Sequence, residues 1–320
     1  MRFGFRCHWV SSCHWAYWTY SLPVTPGGWW LVNFAALFCL IWLATRQKKP
    51  PLLKFLLTTM WVFIFPSSIS HFNLGQISIL ICLAMLLVIR FNKRLPDWVI
   101  GLLLAFSLIK PQLSVFFIPA YYFNVWQTKN WQSLLKLVGW TFAGVLLTLL
   151  PVMLLFPNWL PDFLTNLSNN PNWAHPSIFN RLIMGTGGQM LKWLIFGGGL
   201  AISLIIVAHS YNGNQNRDSI ESMKKVEQAF LWVIALPPLF SPYIWSWDFV
   251  LLYPIIVAQL FKKQQKLKTT LVFLGYYILL GVYMAQKLNG QISELQYWWI
   301  PWVLVLLIGA NSFLIDESGH

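Results

Sequence analysis

The sequence predicts an all-α, multi-pass transmembrane helical bundle of about eleven membrane segments, and three observations carry that prediction. Hydrophobic residues make up 57% of the chain and charged residues only 10%, with a mean hydropathy of +0.59; a soluble domain carries about a quarter charged residues. Apolar runs recur from residue 28 to residue 315, separated by short basic clusters. The longest polar stretches, 157–189 and 210–228, are too short for a soluble domain of ordinary size.

The expected segments are 28–45, 52–69, 76–90, 97–109, 113–123, 133–156, 190–209, 228–242, 247–261, 269–285 and 298–315. Together they form one transmembrane domain, 28–315, with an external loop at 157–189 and a cytoplasmic tail at 316–320. Residues 1–27, "MRFGFRCHWVSSCHWAYWTYSLPVTPG", lack the uninterrupted apolar core of a signal peptide. They read as an irregular aromatic segment at the membrane interface or as the unrelated start of a truncated frame. Cys7 and Cys13 match no metal-ligand spacing, and four scattered cysteines do not make a disulfide framework.

The net charge of +13 does not describe a nucleic-acid surface, because the bases form neither one face nor one tail. Alternating the segments instead puts sixteen of the twenty-two Lys and Arg residues on one side, in the loops 46–51, 91–96, 124–132, 210–227 and 262–268 and the segment ends beside them. The positive-inside rule makes that side the cytoplasm of a cell membrane. Parity then forces residues 97–123 to go out and come back. As helix, 97–109 rises about 20 Å, short of a hydrocarbon core of about 30 Å. The turn at Lys110-Pro111 is therefore expected below the outer surface, where bent backbone lines a cavity or is buried in protein.

The same map sends the unusual polar residues to the outer face: His71, Asn73 and Gln76 from "SISHFNLGQISIL", Asn180 and Arg181 from the external loop, and Asp248 from "SPYIWSWDFVLLYP". Asp248 is the only charged residue between Ala229 and Leu260, and a carboxylate at a bilayer centre costs about 3 kcal/mol. Its plain alternative is a helix-start residue stabilised by free backbone N–H groups. Trp245 and Trp247 read equally as interfacial-belt aromatics. Lys110 precedes Pro111 and a new helix start, a combination suited to a phosphate, and Arg181 offers a planar fork for the same group. Snorkelling is the alternative for the lysine and simple solvation for the arginine.

"NLGQISILICLAMLLVIR" followed by "GLLLAFSLIKPQLSVFFIP" resembles the core of glycosyltransferase family 87, with "HPSIFNRLI" similar to its external loop and "FSPYIWSWDFVLLYPIIV" to its Ser-Pro…Ser-Trp segment. The resemblance covers roughly residues 22–262. It departs at Ser78, where the family usually has Asn nearby, and near Leu113, where a second Pro is usual. Membrane transferases of this GT-C type carry a catalytic aspartate in the first external loop, after a first transmembrane helix. No Asp or Glu precedes Asp97 here, so that helix and loop are expected to be missing from this sequence.

The resemblance implies transfer of a hexosyl unit, mannosyl among the options, from a polyprenyl-phosphate sugar to a lipid or glycan acceptor hydroxyl at the extracytoplasmic face. Lys110 and Arg181 would hold the donor phosphate, so no metal and no cofactor is called for. His71, Asn73, Gln76 and Asn180 would bind sugar hydroxyls, Trp247 would stack on a pyranose face, and Asp248 is the best available base. Two alternatives stand beside it: a secondary transporter or flippase of a lipid-linked or anionic substrate, and a catalytically inactive truncated family member.

Overall fold

A computed structural model describes residues 26–45, 49–168, 178, 188–211, 220–261 and 294–316, with 274–275, 277–278, 281–282, 284–286 and 289–291. Among the described residues every regular element is helical. Most of the expected N-terminal segment, the loop beyond residue 168 apart from residue 178, much of the 269–285 segment and the tail beyond residue 316 lie outside them.

Among the described residues, three helices are long and apolar enough to cross a membrane: Gly27–Thr45, Trp131–Leu155 and Met190–Tyr211. The bent pair Leu52–Phe63 and Pro66–Asn73 makes a fourth if taken as one span. Shorter apolar helices fill most of the other expected positions. The chain is thus an all-α membrane protein whose interior is built largely of short, broken helices.

The first helix, α1 (Pro26–Thr45), turns Asn33, Ala36, Leu37, Leu40, Ile41 and Ala44 inward, a three-and-four spacing that makes one buried stripe. Leu31, Phe34, Phe38 and Trp42 face outward, as suits a helix bordered by lipid. The expected single segment 52–69 is instead α2 (Leu52–Phe63) and α3 (Pro66–Asn73), bent by 62°. The cause is Pro66, which has no N–H for the carbonyl of Val62 one turn earlier. Ser68 Oγ donates to that carbonyl at 2.7 Å, and the Tyr253 hydroxyl, 2.7 Å away, donates to Ser68. Tyr277 Oη donates to the next freed carbonyl, Ile64, at 3.1 Å.

At the end of α3 the chain reverses through Gly75, whose φ of +61° only glycine adopts without strain. Gln76 N donates to His71 O and Gly75 N to Phe72 O, the paired bonds of a left-handed helix stop. Helix α4 (Ser78–Phe91) then runs back.

Two hairpins complete the core. The first is α5 (Asp97–Ser107), a turn, the single-turn α6 (Pro111–Ser114) and α7 (Phe117–Thr128). Ser114 Oγ closes its apex on Ser107 O at 2.9 Å. Lys129 Nζ reaches Asp97 Oδ1 at 3.5 Å, so residues 97 and 129 meet at one end of the bundle. The long helices α8 (Trp131–Leu155) and α10 (Gly188–Tyr211) flank it, with α9 (Trp159–Ser168) between them in sequence.

The second hairpin rises as α11 (Ile220–Ile234), is broken into the single-turn α12 (Pro237–Phe240) and an extended stretch to Trp245, and returns as a 3-10 helix (Ser246–Leu252) and α13 (Tyr253–Leu260). Pro237, Pro238 and Pro242 remove the N–H groups a continuous helix needs. Helix α14 (Ile300–Asp316) packs beside this apex, with Trp302 edge-on to Phe240. Gly199 of α10 lets both apices close in: a Cβ there would lie 2.6 Å from Phe240 Cβ and 2.9 Å from Phe116 Cζ.

Candidate functional site

Three backbone breaks converge at one place: the Gly75-Gln76 reversal, the Lys110 apex and the Trp245–Asp248 apex. Lys110 Nζ lies 2.6 Å from Gln76 Oε1, 3.2 Å from Ser78 Oγ and 3.3 Å from Asp248 Oδ1. An ammonium has three N–H donors, and here each has an acceptor. Ser78 Oγ donates to Asp248 Oδ1 at 2.5 Å, so serine, lysine and carboxylate close a ring. The other carboxylate oxygen, Oδ2, accepts from the backbone N–H of Trp245 at 3.3 Å, while Asp248 N donates to Trp245 O at 2.9 Å. Asp248 is fully buried, and the Lys110 side chain keeps 19% of its surface.

The burial explains the close satisfaction. A charge removed from water is stable only when paired and hydrogen-bonded on every available position. Asp248 meets that demand with a cation, a hydroxyl and a main-chain N–H, and Lys110 with an anion, a hydroxyl and an amide oxygen. The arrangement can present a cation to an incoming anion, or a carboxylate to a proton, when one member of the ring is exchanged for a ligand group.

A second, uncharged cluster borders the first. His71, fully buried, has its Nε2 3.0 Å from Asn33 Oδ1, and Asn33 Nδ2 donates to Trp29 O at 3.1 Å. The indole of Trp29 stands over Gly75, with Nε1 3.5 Å from where a Cβ on that residue would be. Trp247 stacks on Trp245 with ring centroids 4.8 Å apart and planes 7° from parallel. The buried nitrogens Trp29 Nε1, His71 Nδ1 and Trp247 Nε1 have no hydrogen-bond partner among the described residues.

Of the residues singled out in the sequence, Lys110, Gln76 and Asp248 are in direct contact, and Trp247 adjoins Asp248 in the chain. His71 sits on the turn that leads into Gln76. Asn73 is exposed at the end of α3. Asn180 and Arg181 lie outside the described residues. Ser78, Asn33 and Trp29 were not among the candidates, although each belongs to the two clusters. Ser78 carried a signal, as the helix-start position where the family usually has another hydrogen-bonding side chain nearby. Asn33 was the polar interruption in an otherwise apolar helix.

An all-helical membrane bundle with polar and charged side chains gathered where its helices break defines an integral-membrane protein with an interior polar site. This chain belongs to glycosyltransferase family 87, whose family model matches residues 15–242, more than two thirds of its length. The match takes in Gln76, Ser78 and Lys110 and ends just before Asp248. It makes the protein a membrane glycosyltransferase, acting between a sugar donor and an acceptor. No curated protein and no solved structure matches the chain.

Proposed function

We propose that this glycosyltransferase takes a hexosyl unit from a polyprenyl-phosphate sugar and passes it to a lipid or glycan hydroxyl at the extracytoplasmic face of the cell membrane. The observation that carries the reading is the Lys110 ammonium, held inside the bundle within 3.3 Å of the buried Asp248 carboxylate. A lipid phosphate is an anion that can take the carboxylate's place on Lys110. Asp248, keeping Ser78 and the Trp245 N–H, is then released to act on the acceptor.

In the transfer step the acceptor oxygen bonds to the anomeric carbon as the bond from that carbon to the phosphate oxygen breaks. The acceptor proton goes to the Asp248 carboxylate, and the leaving polyprenyl phosphate takes the bonding pair and stays against Lys110. Gln76, His71 and Asn73, with Asn180 and Arg181 from the external loop, serve the sugar and phosphate, and Trp247 offers an aromatic face. Charge supports that face: Arg90 pairs with Glu227, and Lys129 with Asp97, at the end of the bundle away from Lys110. Those residues adjoin the basic loops assigned to the cytoplasm.

The test is transfer from polyprenyl-phosphate mannose by the purified full chain, with donor affinity compared between Lys110→Met and Lys192→Met. A larger loss at Lys110 is expected, and equal affinities would reduce it to a structural residue. Labelling of a single cysteine at position 215 or 265 by an impermeant reagent in intact cells would overturn the sidedness. The complete internal satisfaction of Lys110 favours one second reading, in which the ring is purely structural and the chain does not turn over. Normal donor binding without transfer in the wild type, together with equal donor affinities for the two variants, would establish that reading.

A further inference from the structure

The cluster beside the Lys110 ring gives the role proposed for His71 a specific geometry. Asn33 spends its amide N–H on Trp29 O, so it is the amide oxygen that faces His71, 3.0 Å from Nε2. An oxygen accepts only, so Nε2 must carry the imidazole proton. Nδ1 is then a bare acceptor, fixed in that state by Asn33. It is buried and has no partner among the described residues. The indole Nε1–H of Trp29, the residue whose carbonyl anchors Asn33, is a buried donor with no partner among the described residues. Unpaired buried donors and acceptors are rare because each forfeits its hydration without return. Here an orphan acceptor and an orphan donor are tied into one hydrogen-bonded chain.

We propose that Trp29 Nε1–H and His71 Nδ1 form an uncharged subsite for a hydroxyl of the donor hexose, with Asn33 as the positioning residue that sets the histidine tautomer. A hydroxyl is the group that matches both, since it accepts from the indole and donates to the imidazole. A sugar phosphodiester has no proton to give, so its phosphate suits Lys110 and is repelled by a bare Nδ1. The order along the chain agrees. Trp29 lies over Gly75, and Gln76, the next residue, touches Lys110. Both nitrogens are closed to solvent, so a ligand enters by a side-chain movement.

This inference rests on the reading of the site as one for a sugar-bearing lipid phosphate, and the experiment separates the two. Binding of polyprenyl-phosphate mannose and of bare polyprenyl phosphate is measured on the full-length protein in nanodiscs. Trp29→Phe keeps the ring against Gly75 and removes only the donor. It should weaken the mannosyl lipid on the order of fivefold to tenfold and leave the bare phosphate unchanged. Lys110→Met should weaken both. A Trp29→Phe protein that binds both lipids as the wild type does, as it would if the orphans hold water alone, overturns the subsite. So does one that loses both equally. Wild-type protein that binds neither lipid overturns the underlying reading, and the subsite with it. Solid-state 15N spectra of histidine-labelled protein give an independent check. His71 should show a protonated Nε2 and a bare Nδ1 in the wild type and a tautomer mixture in Asn33→Leu. The opposite tautomer in the wild type would remove the acceptor.

Discussion

The two ends of the bundle hold similar ion pairs in different surroundings. At the broken end, Lys110 and Asp248 pair with side-chain exposures of 19% and 0%. At the other end Arg90 and Glu227 keep 31% and 18%, and Asp97 keeps 25% beside Lys129 and Lys136 at 44% and 63%. The difference lies in the backbone. The basic end is where intact helices stop, and its charges reach water. The other end is where helices break inside the bundle, at Pro66, Gly75, Pro111, Pro237 and Pro242. A break frees carbonyls and N–H groups that must find partners, and this draws polar side chains inward. Ser68, Ser114 and Tyr277 are absorbed entirely by that demand. Lys110 and Asp248 exceed it. They bring net charges to a place that backbone repair alone would leave neutral, and the proposed function rests on that excess.

The largest effect that would test this contrast is Lys110→Met. It strips the cation from a fully buried carboxylate and leaves only Ser78 and the Trp245 N–H to hold the charge. Loss of one partner from a buried pair costs about 3–5 kcal/mol, so unfolding in detergent should move by about that much, and transfer should cease. A stability loss no larger than that of Arg90→Gln would mean that water reaches the broken end as freely as the basic one.

Asp248→Asn should come next. Asparagine keeps an acceptor for Ser78 and Lys110 and the shape of the helix start, so the expected cost is about 1–3 kcal/mol. Transfer should be abolished while donor binding survives or tightens, because the carboxylate no longer competes for Lys110. Wild-type turnover in this variant would leave Asp248 as a helix-start residue and nothing more.

Much of this arrangement was legible in the sequence because charge counts over the whole chain. The basic clusters forced 97–123 to double back, and that put Lys110 at an apex and Asp248 at the start of a returning segment. The bend at Phe65-Pro66 inside one expected segment was missed. Hydropathy sees a continuous apolar run there, and the compensating hydroxyls come from Ser68 and from Tyr253, 185 residues further on. Ser78 was passed over for a related reason. A serine at a helix start usually serves its own backbone, whereas this one spends its proton on a carboxylate 170 residues away. Asn33 and Trp29 belong to a helix whose hydropathy marks it only as a span. Their role depends on which face meets α3, and that is decided by packing.

Arg90→Gln probes the intermediate case. Its guanidinium gives two N–H bonds to the Glu227 carboxylate, at 3.1 and 2.9 Å from one nitrogen, and ties the end of α4 to the middle of α11. With both partners partly solvated, the loss should be about 1 kcal/mol. Transfer by the folded protein should be unchanged, since the pair lies a helix length from Lys110. A fall in activity at unchanged stability would show that the two ends are coupled through α4.

The smallest effect belongs to Asp97→Asn. The carboxylate meets Lys129 at 3.5 Å and Lys136 at 3.4 Å, both long contacts to side chains that stay in water. Exposed pairs of this kind contribute about 0–1 kcal/mol, and salt screens them over about 10 Å at 0.1 M ionic strength. Asp97 also sits in the first turn of α5, where an acid is favoured by a few tenths of a kcal/mol and an amide keeps part of that benefit. The substitution should therefore lower stability by less than about 1 kcal/mol at low salt. The difference should shrink further at 1 M salt, where screening reaches about 3 Å. The Lys110–Asp248 pair, closed to solvent on the acid side, should show no such salt response. Measuring Asp97→Asn and Asp248→Asn across the same salt series sets the two ends side by side. A salt-independent loss at Asp97 as large as that at Asp248 would mean the basic end is buried too, and the division between a solvated end and a reactive one would fall.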